Sequence, residues 1–384
     1  MILILDEQVH PGTPLFEAIM EYLSHRSGVS ARVHEVKGDL QTLTEIYLIG
    51  DTATLDREEI AELAGVDRVV RVSREYRILG RHKDDFRPSG FEYNGVSFSQ
   101  ETFELFAGLC AVDNRDHVDR TFRALAAQGL RCARMGAYKP RTSPYAFQGH
   151  GAACLPFVFE SAASHGVRVI AMEVTHEKHI QEIHDALAAA GNGTGVMLQV
   201  GTRNTQNFEL LKAIGRQHEF PVLFKRGFGI TLEESLNAAE YLASEGNQRV
   251  VFCLRGVKSN LGEPHRNLVD FAQVPVVRRL TRMPVCVDPS HAVGRRDLSP
   301  DGIEDIHHAA VQGVVAGANM VLVDIHPEPG KALVDGPQAL TLDELPLFVE
   351  DLRIAREAYL KRRAAHERAR SPAELPKPAD SQPA

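Results

Sequence analysis

A chain of 384 residues is too long for one small domain and fits a barrel of roughly 250 residues with a smaller unit attached. Its 43% hydrophobic and 24% charged residues are ordinary globular composition, and a net charge of −8 argues against a general nucleic-acid role while leaving room for a local basic pocket. Five widely spaced cysteines (Cys110, Cys132, Cys154, Cys253 and Cys286) with no CxxC pair argue against a disulfide framework and fit a reducing compartment.

The opening MILILDEQVHPG has no basic leading region and carries Asp6 and Glu7, so it reads as a strand and not as a signal peptide. No apolar run approaches the ~18 residues a membrane helix needs, and a cytoplasmic protein is expected. Met1–Leu5 is an apolar strand and Pro14–His25 has helical spacing. Ala31–Val36 and Glu45–Ile49 read as strands, Asp56–Ala64 as a helix and Val66–Val72 as a strand. The order βαββαβ predicts a small ferredoxin-like domain over residues 1–74. Residues 75–102, including the polar, turn-rich Gly80–Gly95, are expected to link it to the rest.

From about Phe103 the rhythm becomes strand, loop, helix. Strands are predicted at Leu105–Cys110, Arg131–Gly136, Arg168–Glu173, Gly195–Val200, Val222–Lys225, Arg249–Leu254, Pro284–Val287 and Met320–Asp324. Each is short and apolar, as strands buried on both faces are. Eight βα units in about 250 residues predict a (β/α)8 TIM barrel over 103–368, closed by a charged amphipathic helix at Leu342–Arg368. The Pro-rich residues 369–384 are expected to be a disordered tail.

Chemistry in such a barrel sits at the C-terminal ends of the strands. A lone Arg after a strand is ordinarily a solvated loop charge, but here all eight ends are reactive or charged. Arg134, Lys139, Arg141, Arg203, Lys225, Arg226 and Arg255 are cations. Converging cations repel unless an anion sits among them, so a ligand with more than one anionic group is expected. Cys110, His291, Asp324 and Asp335 form a mixed thiolate, imidazole and carboxylate set suited to Mn²⁺, Fe²⁺, Co²⁺ or Zn²⁺. The glycine run Gly191–Gly195 precedes a strand, the wrong place for a dinucleotide fingerprint, and His176–His179 lacks HExxH spacing.

At these residues the sequence resembles the 3-deoxy-7-phosphoheptulonate (DAHP) synthases of the type I beta subgroup. The matching segments are GAYKPRTSPYAFQGHG (Gly136–Gly151), VGTRNTQNFELL (Val200–Leu211), FKRGF (Phe224–Phe228), DPSHAVGRRDL (Asp288–Leu298) and IHPEPGKALVDG (Ile325–Gly336). The resemblance implies condensation of phosphoenolpyruvate with erythrose 4-phosphate and water. Arg134, Lys139, Arg203, Lys225 and Arg255 would hold phosphoenolpyruvate, and Arg141 and Thr142 the aldose phosphate. Lys139, Cys110 and His291 would be catalytic. Cys110, His291, Asp324 and Asp335 would bind a divalent metal, Mn²⁺ first. It further implies an aromatic amino acid effector at the N-terminal domain and a homotetramer, with no nucleic-acid or membrane partner. Two other readings stand beside it: a relative that condenses phosphoenolpyruvate with a different aldose phosphate or modified aldehyde, and an inactive barrel serving as a regulatory subunit. The chain departs from the family pattern at Leu109, where Pro is usual, and at Asp324, where Glu is usual.

Overall fold

The computed structural model describes residues 1–37, 42–70, 75–82, 90–191 and 193–370. The N-terminal unit runs β1 (Ile2–Leu5), α1 (Pro14–Ser24), β2 (Val29–Lys37), β3 (Thr42–Gly50), α2 (Arg57–Ala61) and β4 (Val66–Val70). Its strands form one antiparallel sheet in the order β2-β3-β1-β4. The sequence of β1, ILIL, does not alternate because both faces of this sheet are covered. Leu3, Leu5, Ile46 and Leu48 pack with Phe16, Ile19 and Leu23 of α1. Ile2, Ile4, Tyr47 and Val70 face the other way and join the core that continues into the barrel helices.

The stretch expected to be a plain linker contains a hairpin, β5 (Gly90–Tyr93) and β6 (Val96–Ser99). Asn94 and Gly95 both have positive φ, +47° and +76°, the geometry an Asn-Gly type I′ turn requires. Asn-Gly between FEY and VSF is the sequence signal for it. Val96 and Phe98 insert into the bottom of the barrel beside Phe106, Cys132, Met197 and Met320.

The barrel strands are β7 (Glu104–Leu109), β8 (Cys132–Met135), β9 (Val169–Val174), β10 (Gly195–Val200), β11 (Val222–Lys225), β12 (Val250–Leu254), β13 (Val285–Val287) and β14 (Met320–Asp324). All neighbouring pairs are parallel, and β14 pairs with β7 to close the ring. Each of the eight predicted strands is present, within about two residues of its expected ends. The helices used below are α3 (Arg115–Ala127), α4 (Leu155–Ser164), α5 (Lys178–Ala189), α6 (Phe208–Arg216), α7 (Leu232–Ser244), α8 (Val274–Leu280), α9 (Pro289–Val293), α10 (Asp305–Val315) and α11 (Leu345–Arg370). The expected tail lies, from residue 371 on, outside the described residues.

Inside a closed barrel the side chains of alternate residues share the interior. Cys132, Ala171, Met197, Leu223, Cys253, Cys286 and Leu322 fill its lower part. Two residues further along each strand come Arg134, Glu173, Gln199, Lys225, Arg255, Asp288 and Asp324, all buried. Period 2 therefore places an apolar layer below and a polar layer above on the same face of the same strands.

Glu240 of α7 holds the segment that follows the N-terminal unit against the barrel. Its carboxylate accepts the backbone N–H groups of Ile78 at 2.5 Å and Leu79 at 3.0 Å. Burial lifts the Glu240 carboxyl from 4.5 to about 7, against the backbone hydrogen bonds. A carboxyl with a raised folded pKa binds its proton more tightly in the folded state. The stability it contributes is complete below its unfolded pKa and is lost as pH rises through about 7. Unfolding in urea should show a loss on the order of 1–3 kcal/mol across that window, and Glu240→Gln should flatten it. An unchanged pH slope in the variant would assign the slope elsewhere.

Candidate active site

The polar layer opens into a cavity of ≈ 660 Å³ at the C-terminal mouth of the barrel. Lys139, Arg141, Thr142, Arg203, Lys225, Arg255, His291 and Asp335, all proposed from sequence, line it. Its wall also carries Glu173, Lys258, Arg266 and Asn267. Glu173 had been noted at its strand end without a role. The other three lie in the long segment after β12, outside the strand ends that guided the sequence search.

The cations divide into two groups. Lys139 is buried, with Nζ 3.4 Å from both Glu173 Oε2 and Cys110 Sγ. Lys225 is buried and pairs with Asp288 at 2.5 Å. Arg266 reaches Asp335 at 3.4 Å and Gln338 at 3.2 Å. By contrast, the side chains of Arg141, Arg203, Arg255 and Lys258 have no hydrogen-bond or ion-pair partner among the described residues. Arg255 is the telling one: it is 4% exposed, its Nε is orphaned, and burial lowers its pKa. Asp288 and Asp270 act on it from a distance, but a buried guanidinium with no direct partner is costly unless an anion arrives to pair with it.

Two sequence-predicted cations stand off the cavity wall. Arg226 turns outward to Asp270 at 2.9 Å and Gln273 at 2.6 Å, because the residue after Lys225 has the opposite parity. Arg134 lies beneath the cavity, 2% exposed, with its guanidinium paired to Asp324 and 3.8 Å from Cys110 Sγ.

The four expected metal ligands come together. Cys110 Sγ is 3.2 Å from Asp335 Oδ2 and 3.9 Å from His291 Nε2, and His291 Nε2 is 3.6 Å from Asp335 Oδ2. Tetrahedral bonds of ~2.0–2.3 Å have edges of about 3.3–3.8 Å, so these three donors fit one ion. Asp288 prepares His291 for this. It caps α9 by accepting the His291 backbone N–H at 3.0 Å, and it accepts from Nδ1 at 3.1 Å, leaving Nε2 for a cation. Burial opposes charge on His291, but Asp288 and Asp324 outweigh it and lift its pKa to about 10. Burial likewise opposes charge on Asp335, yet His291 and Arg266 hold its carboxyl well below the usual range. So dense an anionic surround attracts a cation.

Asp324 is the exception within this set. Its Oδ2 is 3.8 Å from His291 Nδ1, on the side of the ring away from Nε2. It accepts Gln338 Nε2 at 2.5 Å and pairs with Arg134. One methylene shorter than Glu, this carboxylate is held back against Arg134.

The DAHP synthetase I family model matches residues 94–359 of the chain. A phospho-2-dehydro-3-deoxyheptonate aldolase of Thermotoga maritima is 34% identical over 339 residues, covering 88% of this chain and 94% of that protein. A 2-dehydro-3-deoxyphosphooctonate aldolase of Acidithiobacillus ferrooxidans is 29% identical over 264 residues, 64% of this chain and 86% of that one. The crystal structure of the Thermotoga maritima DAHP synthase superposes with a TM-score of 0.66 at 30% identity, over 93% of this chain and 97% of the other.

Asp288 serves Lys225 and His291 at once, so Asp288→Asn should be costly. Breaking a buried pair is worth roughly 3–5 kcal/mol, and calorimetry should show a clear fall in melting temperature. A fall within experimental error would mean that the pair is not charged in the folded protein.

Proposed function

This chain belongs to the DAHP synthetase I family, and from that premise we propose that it condenses phosphoenolpyruvate with erythrose 4-phosphate and water, giving 3-deoxy-7-phosphoheptulonate and phosphate. The observation that carries the reading is Arg255, buried with no direct partner among the described residues, in the same cavity as Lys139 and a Cys110–His291–Asp335 cluster that could hold a metal. We assign the carboxylate and phosphate of phosphoenolpyruvate to Arg203, Lys225, Arg255 and Lys139, with Arg134 lending positive charge from beneath the cavity. Arg141 and Thr142 take the aldose phosphate. The wall then neutralises two phosphates and a carboxylate and fixes two reactants in one cavity.

The enol carbon of phosphoenolpyruvate attacks the aldehyde carbon, and its second carbon becomes electron-poor. Lys139 is placed to give a proton to the new alkoxide. Glu173, hydrogen-bonded to Lys139, is placed to take one from the water that adds at the electron-poor carbon. Phosphate then leaves by C–O cleavage as the new hydroxyl gives up its proton to it and becomes the carbonyl, and the proton held by Glu173 passes to Lys139, which restores both groups. A divalent ion held by Cys110, His291 and Asp335, with Asp324 close behind, supplies Lewis acidity when bound. The mixed donors suit Mn²⁺, Fe²⁺, Co²⁺ or Zn²⁺, and we take Mn²⁺ first on the family resemblance.

The N-terminal sheet, with its βαββαβ order, supports a ferredoxin-like domain of the type I beta kind, which we assign an aromatic amino acid effector and a place in a homotetramer. A cytoplasmic location fits the five free cysteines. Among the described residues no helix is long and apolar enough to cross a membrane. A second reading, a different aldose phosphate, is favoured by Lys258, an additional unpaired cation on the wall.

The deciding assay mixes protein, phosphoenolpyruvate, Mn²⁺ and erythrose 4-phosphate and follows phosphate release and loss of enol absorbance. Turnover with another aldose phosphate but not with this one would favour the second reading. Cys110→Ala should abolish metal-dependent turnover. Arg255→Ala should raise KM for phosphoenolpyruvate by roughly 10–100-fold, the worth of a charged hydrogen bond. An unchanged KM would remove Arg255 from the binding site.

A further inference from the structure

Beside the metal-ligating cluster lies a second group that no step above uses. Asp113 follows Cys110 by three residues, His117 lies in the first turn of α3 and His326 follows β14. Asp113 Oδ2 is 2.5 Å from His326 Nε2 and 3.2 Å from His117 Nδ1. Asp113 Oδ1 accepts the backbone N–H of Leu333 at 3.4 Å. The three side chains are 6%, 10% and 3% exposed for Asp113, His117 and His326, and the two imidazoles meet edge to face at 4.8 Å.

An aspartate and two histidines this close resemble a cation site in their own right. The hydrogen bonds argue otherwise. His326 Nδ1 accepts the backbone N–H of Glu328 at 2.9 Å, so the ring proton of the neutral imidazole sits on Nε2. That nitrogen donates to Asp113 and has no lone pair for a metal. The backbone N–H of His326 donates to Leu340 O at 2.8 Å, which fixes the ring at its base as well.

The arrangement is that of a clamp. Cys110 and Asp335 are 225 residues apart and touch at 3.2 Å, so no local backbone rule sets their spacing. Asp335 also holds a left-handed backbone, φ +56°, which a non-glycine residue keeps only when its surroundings enforce it. Of the three donors to Asp113, two belong to the segment that runs from β14 to Asp335. The acceptor stands one turn of chain beyond Cys110. We propose that Asp113 is a positioning residue that sets the distance between Cys110 and Asp335, through His326 and Leu333, and thereby tunes metal affinity. The proposal rests on the reading of Cys110, His291 and Asp335 as metal ligands.

The test is titration of the full chain with Mn²⁺ by calorimetry and electron paramagnetic resonance. Wild type is measured first. If it binds none of Mn²⁺, Fe²⁺, Co²⁺ or Zn²⁺, the ligand assignment itself falls and the clamp falls with it. If wild type binds, Asp113→Asn and His326→Phe should weaken Mn²⁺ binding by roughly ten- to hundredfold. KM for phosphoenolpyruvate at saturating Mn²⁺ should stay within about twofold of wild type. His326→Gln, whose amide N–H can replace the Nε2 donor, should bind Mn²⁺ like wild type. Wild-type affinity in Asp113→Asn would overturn the clamp while leaving the ligands in place. So would a His326→Gln variant as weak as His326→Phe. Because His326→Gln keeps the donor, it separates loss of the hydrogen bond from general damage if either of the other variants folds poorly.

Discussion

The structure depends on a parity constraint inside the barrel. Alternate residues of eight parallel strands share one closed interior, and on seven of them an apolar side chain is followed two positions later by a polar one. Arg134, Glu173, Gln199, Lys225, Arg255, Asp288 and Asp324 are thereby forced into a single buried layer. On β7 the matching position is Gly108, where a Cβ would meet the Arg134 carbonyl oxygen at 2.2 Å. Cys110 then takes the next inward place, one step higher. A polar layer this deeply buried must balance most of its own charge, and nearly everything about the site follows from how it does so.

The balance is incomplete, and the remainder is informative. Lys225 with Asp288, Arg134 with Asp324, and Lys139 with Glu173 are paired within the layer. Arg255 in the same layer, and Arg141, Arg203 and Lys258 above it, have no hydrogen-bond or ion-pair partner among the described residues. Paired cations keep the scaffold neutral, whereas unpaired ones create a demand for anions from outside. The acids show the opposite imbalance. Around the His291 ring stand Asp288 and Asp324 on the Nδ1 side and Asp335 with the Cys110 thiol on the Nε2 side, a concentration of acids about one imidazole. One cavity therefore presents an anion-seeking wall and a cation-seeking corner, with Lys139 touching both.

Asp324 ties the two halves together. With Glu at this position the carboxylate would extend by a methylene toward the corner where Cys110, His291 and Asp335 meet. As Asp it stays against Arg134 and Gln338, and Arg134 lies beneath the cavity. One short side chain thus meets both a buried cation and the candidate ligand His291. The clamp of Asp113 and His326 acts on the same corner from outside the barrel, holding Asp335 where the chain alone would not.

Much of this was legible in the sequence. Eight short apolar runs, each ending in a charged or reactive residue, determined the barrel and its polar rim, because strand period and strand order dictate which residues converge. The motifs from Gly136 to Gly151 and from Ile325 to Gly336 identified the family. The hairpin at Asn94–Gly95 was also written in the sequence, as an Asn-Gly turn between alternating hydrophobics. Other features were not legible, because they are set by distance through space between segments remote along the chain. Only the tertiary structure decided that Arg226 faces Asp270 while its neighbour Lys225 faces inward, that Arg134 lies under the cavity, that Lys258 and Arg266 reach its wall from a long loop, and that Asp113 meets His326. Composition and period determine which residue types reach the mouth of the barrel. Which of them neutralise one another, and which are left to meet a ligand, is settled only when the ring closes and β14 lies against β7.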